Sequence, residues 1–143
     1  MFGTPFLNYL CTMAYRRETV IVSVGSNTYQ QNSVQRAKRL ILELLDDVVF
    51  TCDKWTDPVG MESPQFINCL VKGTTTHDKD QLVRALKNIE RRLGDSRGMR
   101  TKNVVVMDLD LLQYGDEKLH LDHWERPYMD ELLGQLGEKP YMP

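Results

Sequence analysis

The sequence predicts an α+β fold, an antiparallel sheet with helices packed on it. Three observations lead there. Short runs of β-branched and apolar residues alternate with two segments whose apolar residues recur at helical spacing. Their order is strand, helix, strand, strand, helix, strand, the split βαβ arrangement of ferredoxin-like folds. The 143 residues, 41% hydrophobic and 27% charged, suit one packed core, with no repeat or low-complexity segment. Residues 19–143 read as a single domain and residues 1–18 as an N-terminal extension.

The elements follow in order. "TVIVSV" (Thr19–Val24) is rich in β-branched residues and reads as a buried strand ending at Gly25. Ser26 and Asn27 suit a turn and a helix cap. Val34, Ala37, Leu40, Ile41, Leu44 and Leu45 then make an apolar stripe, which places a helix over Gln31 to Asp46. "VVFTCDKW" reads as a second strand, "TDPVGMESPQ" as a loop, and "FINCLVKGTT" as a third strand. A second helix runs through "DKDQLVRALKNIERRLG": Asp78 or Asp80 caps it, Leu82, Leu86, Ile89 and Leu93 form its stripe, and Gly94 stops it. Each helix is expected to cover one face of the sheet. "DSRGMRTKN" is a polar, basic loop, and "NVVVMDLDLLQYG" (Asn103–Gly115) is the fourth strand. A short "EKLHLDHW" segment and a C-terminal helix, "YMDELLGQL", complete the chain.

Composition narrows the function classes. A formal net charge of -2 argues against a general nucleic-acid binder. The first residues carry no basic flank ahead of their apolar run and are too few for a membrane span. Cys11, Cys52 and Cys69 lack zinc-site spacing and read as reduced thiols, so the expected location is cytoplasmic. The motifs GxxxxGK[ST], GxSxG, HExxH and GxGxxG are all absent.

The chemical signal is the pair Asp108 and Asp110. Residues i and i+2 of a strand project to the same side, so the two carboxylates stand together, within an otherwise apolar run. Like charges that close repel, and a divalent cation relieves the repulsion; magnesium prefers such oxygen ligands. The alternative is a strand end with both acids facing water. The basic loop with Arg91, Arg92, Arg97, Arg100 and Lys102 suits phosphate groups beside a metal. It equally suits a solvated helix end. His123, Trp124, Arg126 and Tyr128 could hold a nucleotide or heterocycle, or pack a strand–helix junction. Asn68, inside an apolar strand, needs hydrogen-bond partners, either a ring edge or the backbone.

Taken together, "SVGSN", "TDPVGMESPQFIN", "IERRLG", "MDLDLLQYG" and "DHWERPY", in that order, resemble the 6-hydroxymethyl-7,8-dihydropterin pyrophosphokinases of folate biosynthesis. The resemblance spans residues 19 to about 133. It implies a ferredoxin-like core and transfer of pyrophosphate from ATP to the pterin hydroxymethyl group, with release of AMP. It implies two magnesium ions held by Asp108 and Asp110, with Arg97 joining them as a catalytic residue. The pterin would be met by Asn68, by Phe66 and Tyr128 on its faces, and by the loop residues Thr56, Pro58, Val59 and Gly60. The nucleotide would be met by Glu90, Arg97, Arg100, His123 and Arg126. Asp95 and Val105 stand where the resemblance places arginines. The expected partners are the two small-molecule substrates, with no nucleic acid and no membrane, and a monomer or weak dimer. Two other readings stay open: a nucleotide- or pterin-binding module of the same fold without full activity, and a ferredoxin-like domain that pairs through its sheet edges.

Overall fold

The structure, a computed structural model, describes residues 16–28 and 31–143. Of the expected extension over residues 1–18, residues 1–15 lie outside the described residues, and so does Cys11. Strand β1 (Glu18–Ser26) runs through the middle of a six-stranded sheet, with β4 (Phe66–Thr75) on one side and β5 (Asp108–Tyr114) on the other. Outside β4 lie β2 (Asp46–Phe50) and β3 (Lys54–Thr56); outside β5 lies β6 (Glu117–Lys118). Every pairing is antiparallel. The core order β2-β4-β1-β5 is that of the ferredoxin-like fold read from the sequence.

Helices α1 (Gln31–Leu44) and α2 (Lys79–Arg92) do not take one face each, as expected, but pack together on the same face of the sheet. Val34, Ala37 and Ile41 of α1 meet Leu82, Leu86 and Ile89 of α2 over Val20, Val22 and Val24. A fully buried side chain of this size contributes roughly 1.5–3 kcal/mol. Asp78 caps α2: its side chain accepts the Gln81 amide while the Gln81 side chain accepts the Asp78 amide. The opposite face is covered by the C-terminal segment. There α4 (Leu121–Trp124) and α5 (Met129–Gln135) bury Trp124, Met129, Leu132 and Leu133 against Ile21, Leu70 and Leu112. Between α2 and β5 the basic loop contains one short helix, α3 (Arg97–Arg100), capped by the Ser96 side chain. Cys52 and Cys69 are free thiols.

Several boundaries differ from the sequence expectation; strand β1, for one, continues past Gly25 through Ser26. Helix α1 stops at Leu44, two residues early, because Asp46 already pairs with Thr74 in the sheet. The single strand expected over "VVFTCDKW" is two strands. The Thr51 amide donates to the Leu70 carbonyl, but the Leu70 amide is taken by the Thr51 hydroxyl, the next amide, Cys52, turns to the Gln135 side chain at 2.8 Å, and the ladder is interrupted. The strand expected from Asn103 begins only at Asp108. Val105, Val106 and Met107 are buried, yet side chains satisfy their amides. Asn27 Oδ1 accepts from Val105, and Asp95 Oδ1 accepts from Val106 and Met107. Asp108 is therefore the first residue of its strand.

Candidate active site

The alternation of β1 and β5 divides their side chains between two faces. Val22, Val24, Leu109 and Leu111 join the helix-covered core. Ser23 and Gly25 project to the opposite face, where Ser23 pairs with Asp110 and Gly25 with Asp108. On its other side Gly25 pairs with Asn68. A strip of small residues thus separates an amide on β4 from two carboxylates on β5. This strip is the floor of a cleft of about 140 Å³. Its walls come from the 56–61 loop, β4, α3 and the 123–128 segment.

On the β4 side, Asn68 is buried and its Nδ2 donates to Thr56 Oγ1 at 2.5 Å. A Cβ at Gly25 would stand 3.0 Å from Asn68 Oδ1, so glycine leaves this oxygen its place. Phe66, Val59 and Tyr128 line the cleft beside Asn68. Two aromatic side chains and an amide with both donor and acceptor can take a flat, polar-edged ring.

On the β5 side, each carboxylate has a cation beside it. Arg100 Nη2 lies 3.4 Å from Asp108 Oδ1, and Lys87 Nζ lies 3.6 Å from Asp110 Oδ1. Burial, and then the charge of Asp108, push the Asp110 carboxyl above its ordinary range. Burial works against the Lys87 charge, but the hydrogen bond and charge of Glu90 and the charge of Asp110 outweigh it and raise its pKa. Two neighbouring acids on one face, half-buried and mutually repelling, fit a hard cation with oxygen preference. Among the described residues no three His, Cys, Asp or Glu side chains group around a metal position. A cation held by this pair would take its remaining positions from water and phosphate, a division that suits magnesium.

His123 and Arg126 reach the cleft from the opposite wall. The Tyr128 hydroxyl is 3.1 Å from His123 Nε2, and Arg126 Nη1 is 3.4 Å from that hydroxyl. Burial, with Arg126 adding to it, lowers the His123 pKa to about 4, so the ring is neutral at pH 7.

The structure therefore gathers Asp108, Arg100, Asn68, Phe66, Thr56, Val59, His123, Arg126 and Tyr128 around one cleft, with Asp110 one pleat along from Asp108. It does not gather every expected residue there. Arg97 is exposed in α3, away from the cleft wall. Pro58 and Gly60 belong to the wall loop but do not line the cleft, and Pro58 faces a neighbouring hollow with Trp55 and Arg126. Glu90 is buried, and its carboxylate accepts the Leu109 amide at 2.7 Å and Lys87 at 2.9 Å. Burial raises its pKa against the pull of both. Ser23, Gly25, Met61 and Lys87 belong to the surroundings without having been singled out. For Ser23 and Gly25 a signal existed: they break the apolar run of a strand that is otherwise buried on both faces.

Among the described residues no helix is long and apolar enough to cross a membrane. The family model of 7,8-dihydro-6-hydroxymethylpterin-pyrophosphokinase matches residues 21–136. A folate synthesis bifunctional protein of Arabidopsis thaliana is 31% identical over 123 residues, which are 78% of this chain and 25% of that protein. The mitochondrial folate synthesis bifunctional protein of Pisum sativum is 36% identical over 132 residues, covering 84% of this chain and 25% of its own length. A second Arabidopsis thaliana protein of that name, also mitochondrial, is 33% identical over 121 residues, 77% of this chain and 22% of its own. The chain thus spans about a quarter of the length of these relatives.

Proposed function

We propose that this chain, which belongs to the 7,8-dihydro-6-hydroxymethylpterin-pyrophosphokinase family, transfers pyrophosphate from ATP to the hydroxymethyl group of a dihydropterin. The observation that carries the reading is the pairing register. Gly25 sits between Asn68 and Asp108, so one small residue separates a ring-edge amide from the first of two metal-suited carboxylates.

The pterin edge would meet Asn68 and Thr56, with Phe66 and Tyr128 beside the ring. Asp108 and Asp110 would hold magnesium, two ions in this reading, and magnesium would share the phosphate charge and order the triphosphate. Arg100 and Arg126 add fixed positive charge at the cleft wall. In the transfer the pterin hydroxyl oxygen forms a bond to the β-phosphorus. The bond from that phosphorus to the oxygen bridging the α- and β-phosphates breaks, AMP leaves with the electron pair, and the hydroxyl proton is released. Such chemistry depends on positioning and charge neutralisation more than on a covalent nucleophile. His123, neutral at pH 7, would serve as a hydrogen-bonding group.

The decisive experiment is AMP release followed with ATP, magnesium and 6-hydroxymethyl-7,8-dihydropterin. AMP formed in proportion to pterin and abolished by chelation of magnesium is the expected result. A folded sample with saturating substrates and no AMP would overturn the reading.

A second reading, ligand binding without transfer, has one observation in its favour. Asp95 and Val105, at positions where the family resemblance places arginines, are both buried. Calorimetry that shows binding of the magnesium complex of ATP in a sample that releases no AMP would select it. A cytoplasmic location is the corresponding reading for the compartment, beside relatives whose names include the word mitochondrial. Cell fractionation decides between them.

A further inference from the structure

The basic loop between α2 and β5 carries an acid at its start, and that acid has three partners. Asp95 is 8% exposed. Its Oδ1 accepts the amides of Val106 at 2.9 Å and Met107 at 3.3 Å, the two residues that lead into Asp108. Its Oδ2 accepts from Arg100 Nε at 2.7 Å. Arg100 Nη2 donates in turn to the Met107 carbonyl at 3.0 Å and stands 3.4 Å from Asp108 Oδ1. Glu90 Oε1 lies further off, 3.9 Å from the same nitrogen. The guanidinium is thus fixed in the cleft wall through Nε and Nη2, while its Nη1 is not used in these contacts.

We propose that Asp95 is a positioning residue, which fixes both the approach to Asp108 and the Arg100 guanidinium beside it, so that Arg100 presents its charge to a polyphosphate held at Asp108. The role of Arg100 toward phosphate rests on the proposed function; the clamp itself does not. The chemistry of the pair supports the assignment. A carboxylate with one oxygen on two backbone amides and the other on a guanidinium is held at both ends, and a charge-assisted bond of this kind is stronger than a neutral one. An arginine side chain otherwise samples many rotamers, and a fixed one binds phosphate with less ordering cost. The sequence supplies the same acid where the family resemblance would place a cation. The clamp therefore brings positive charge to this part of the cleft from Arg100, five residues further along the chain.

The test is a double-mutant cycle of Asp95→Asn and Arg100→Ala, read on the dissociation constant of a non-hydrolysable ATP analogue with magnesium. Asparagine retains an oxygen for the Val106 and Met107 amides but loses the charge that holds Arg100. Asp95→Asn should weaken analogue binding by about tenfold in the wild-type background, near 1.4 kcal/mol. In the Arg100→Ala background the same change should cost less than about twofold. Equal losses in both backgrounds, or none in the first, would overturn the proposal, since a purely structural acid acts alike with and without Arg100. A second readout is independent of any ligand. The Arg100 Nε–H resonance should exchange slowly with solvent in the wild type and become rapidly exchanging in Asp95→Asn. Rapid exchange in the wild type removes the clamp whatever the activity. An enzyme that releases no AMP but shows a protected resonance removes the proposed reaction and leaves the clamp standing.

Discussion

Glu90 reaches from α2 to the open edge of β5 and accepts the Leu109 amide at 2.7 Å. Lys87, one turn earlier on the same helix, donates to the Leu109 carbonyl at 3.2 Å. Two side chains thus take the place of a neighbouring strand at the residue between the two aspartates. The arrangement gives a helical glutamate a task in holding Asp108 and Asp110 in register. Glu90→Ala should leave the Leu109 amide without its acceptor, at a cost of about 1–3 kcal/mol. Glu90→Gln, which retains an oxygen acceptor, should cost less than about 1 kcal/mol. Urea unfolding of the two variants checks this, and equal losses would contradict it.

Asp108 and Asp110 should trade stability against turnover. Asp110 is pushed above its ordinary pKa by burial and by Asp108, so its charge is disfavoured by the folded state at pH 7. Asp110→Asn removes that charge and should raise the thermal midpoint of the metal-free protein. The same change removes a magnesium ligand of the proposed site, and AMP release should fall by at least about a hundredfold. Asp108→Asn should reduce release by a similar factor. Calorimetric melting and the AMP assay on the same preparation read both effects. A variant with a lower melting point and unchanged turnover would refute this account of the pair.

His123 gives the protein an acid limb. The unfolded chain binds a proton at this ring near its ordinary pKa of 6.5, whereas the folded chain binds it only near about 4. Between these values the unfolded state carries the extra proton, so stability present above pH 6.5 is lost progressively down to about pH 4. The total is on the order of 3 kcal/mol, at about 1.4 kcal/mol per pKa unit. His123→Gln keeps a polar group beside the Tyr128 hydroxyl and does not titrate. Its stability should fall less steeply over the same interval. Chemical unfolding across that range would show parallel curves for the two proteins if burial of the imidazole did not matter.

The parts of this fold legible in the sequence are those set by neighbours along the chain. The stripe Leu82, Leu86, Ile89 and Leu93 lies buried as its spacing requires, and Asp78 caps α2 through Gln81 three residues on. The β4 run is legible from first residue to last because both its faces are covered. What escaped depends on contacts between distant residues. Nothing local in "NVVVM" shows that Asn27 and Asp95 take its amides and keep it out of the sheet. The same contacts decide which arginine of the basic loop enters the cleft. Spacing treats Arg97 and Arg100 alike, yet α3 turns the first outward and Asp95 draws the second in. The shared face of Asp108 and Asp110 was legible because a strand's alternation is local; Lys87 beside Asp110 was not, and Arg100 beside Asp108 stood only as one of several basic candidates.

The Gly25–Asn68 contact offers a test of the ring side of the cleft that leaves the phosphate side untouched. A methyl group at residue 25 would stand 3.0 Å from Asn68 Oδ1, closer than ordinary contact, and the amide is tied to Thr56 by its Nδ2. The amide cannot swing away without loss of that bond, so Gly25→Ala should displace the oxygen offered to the ring. Asn68→Ala removes the amide altogether. In the proposed reaction both changes should raise the KM for the pterin by about tenfold, the worth of one good hydrogen bond, while the KM for ATP changes less than about twofold. Thr56→Val, which removes the hydroxyl that fixes the Asn68 side chain, should give a smaller rise of the same kind. A rise in the ATP constant of equal size, or no rise in either, would place the heterocycle somewhere other than the Asn68 wall.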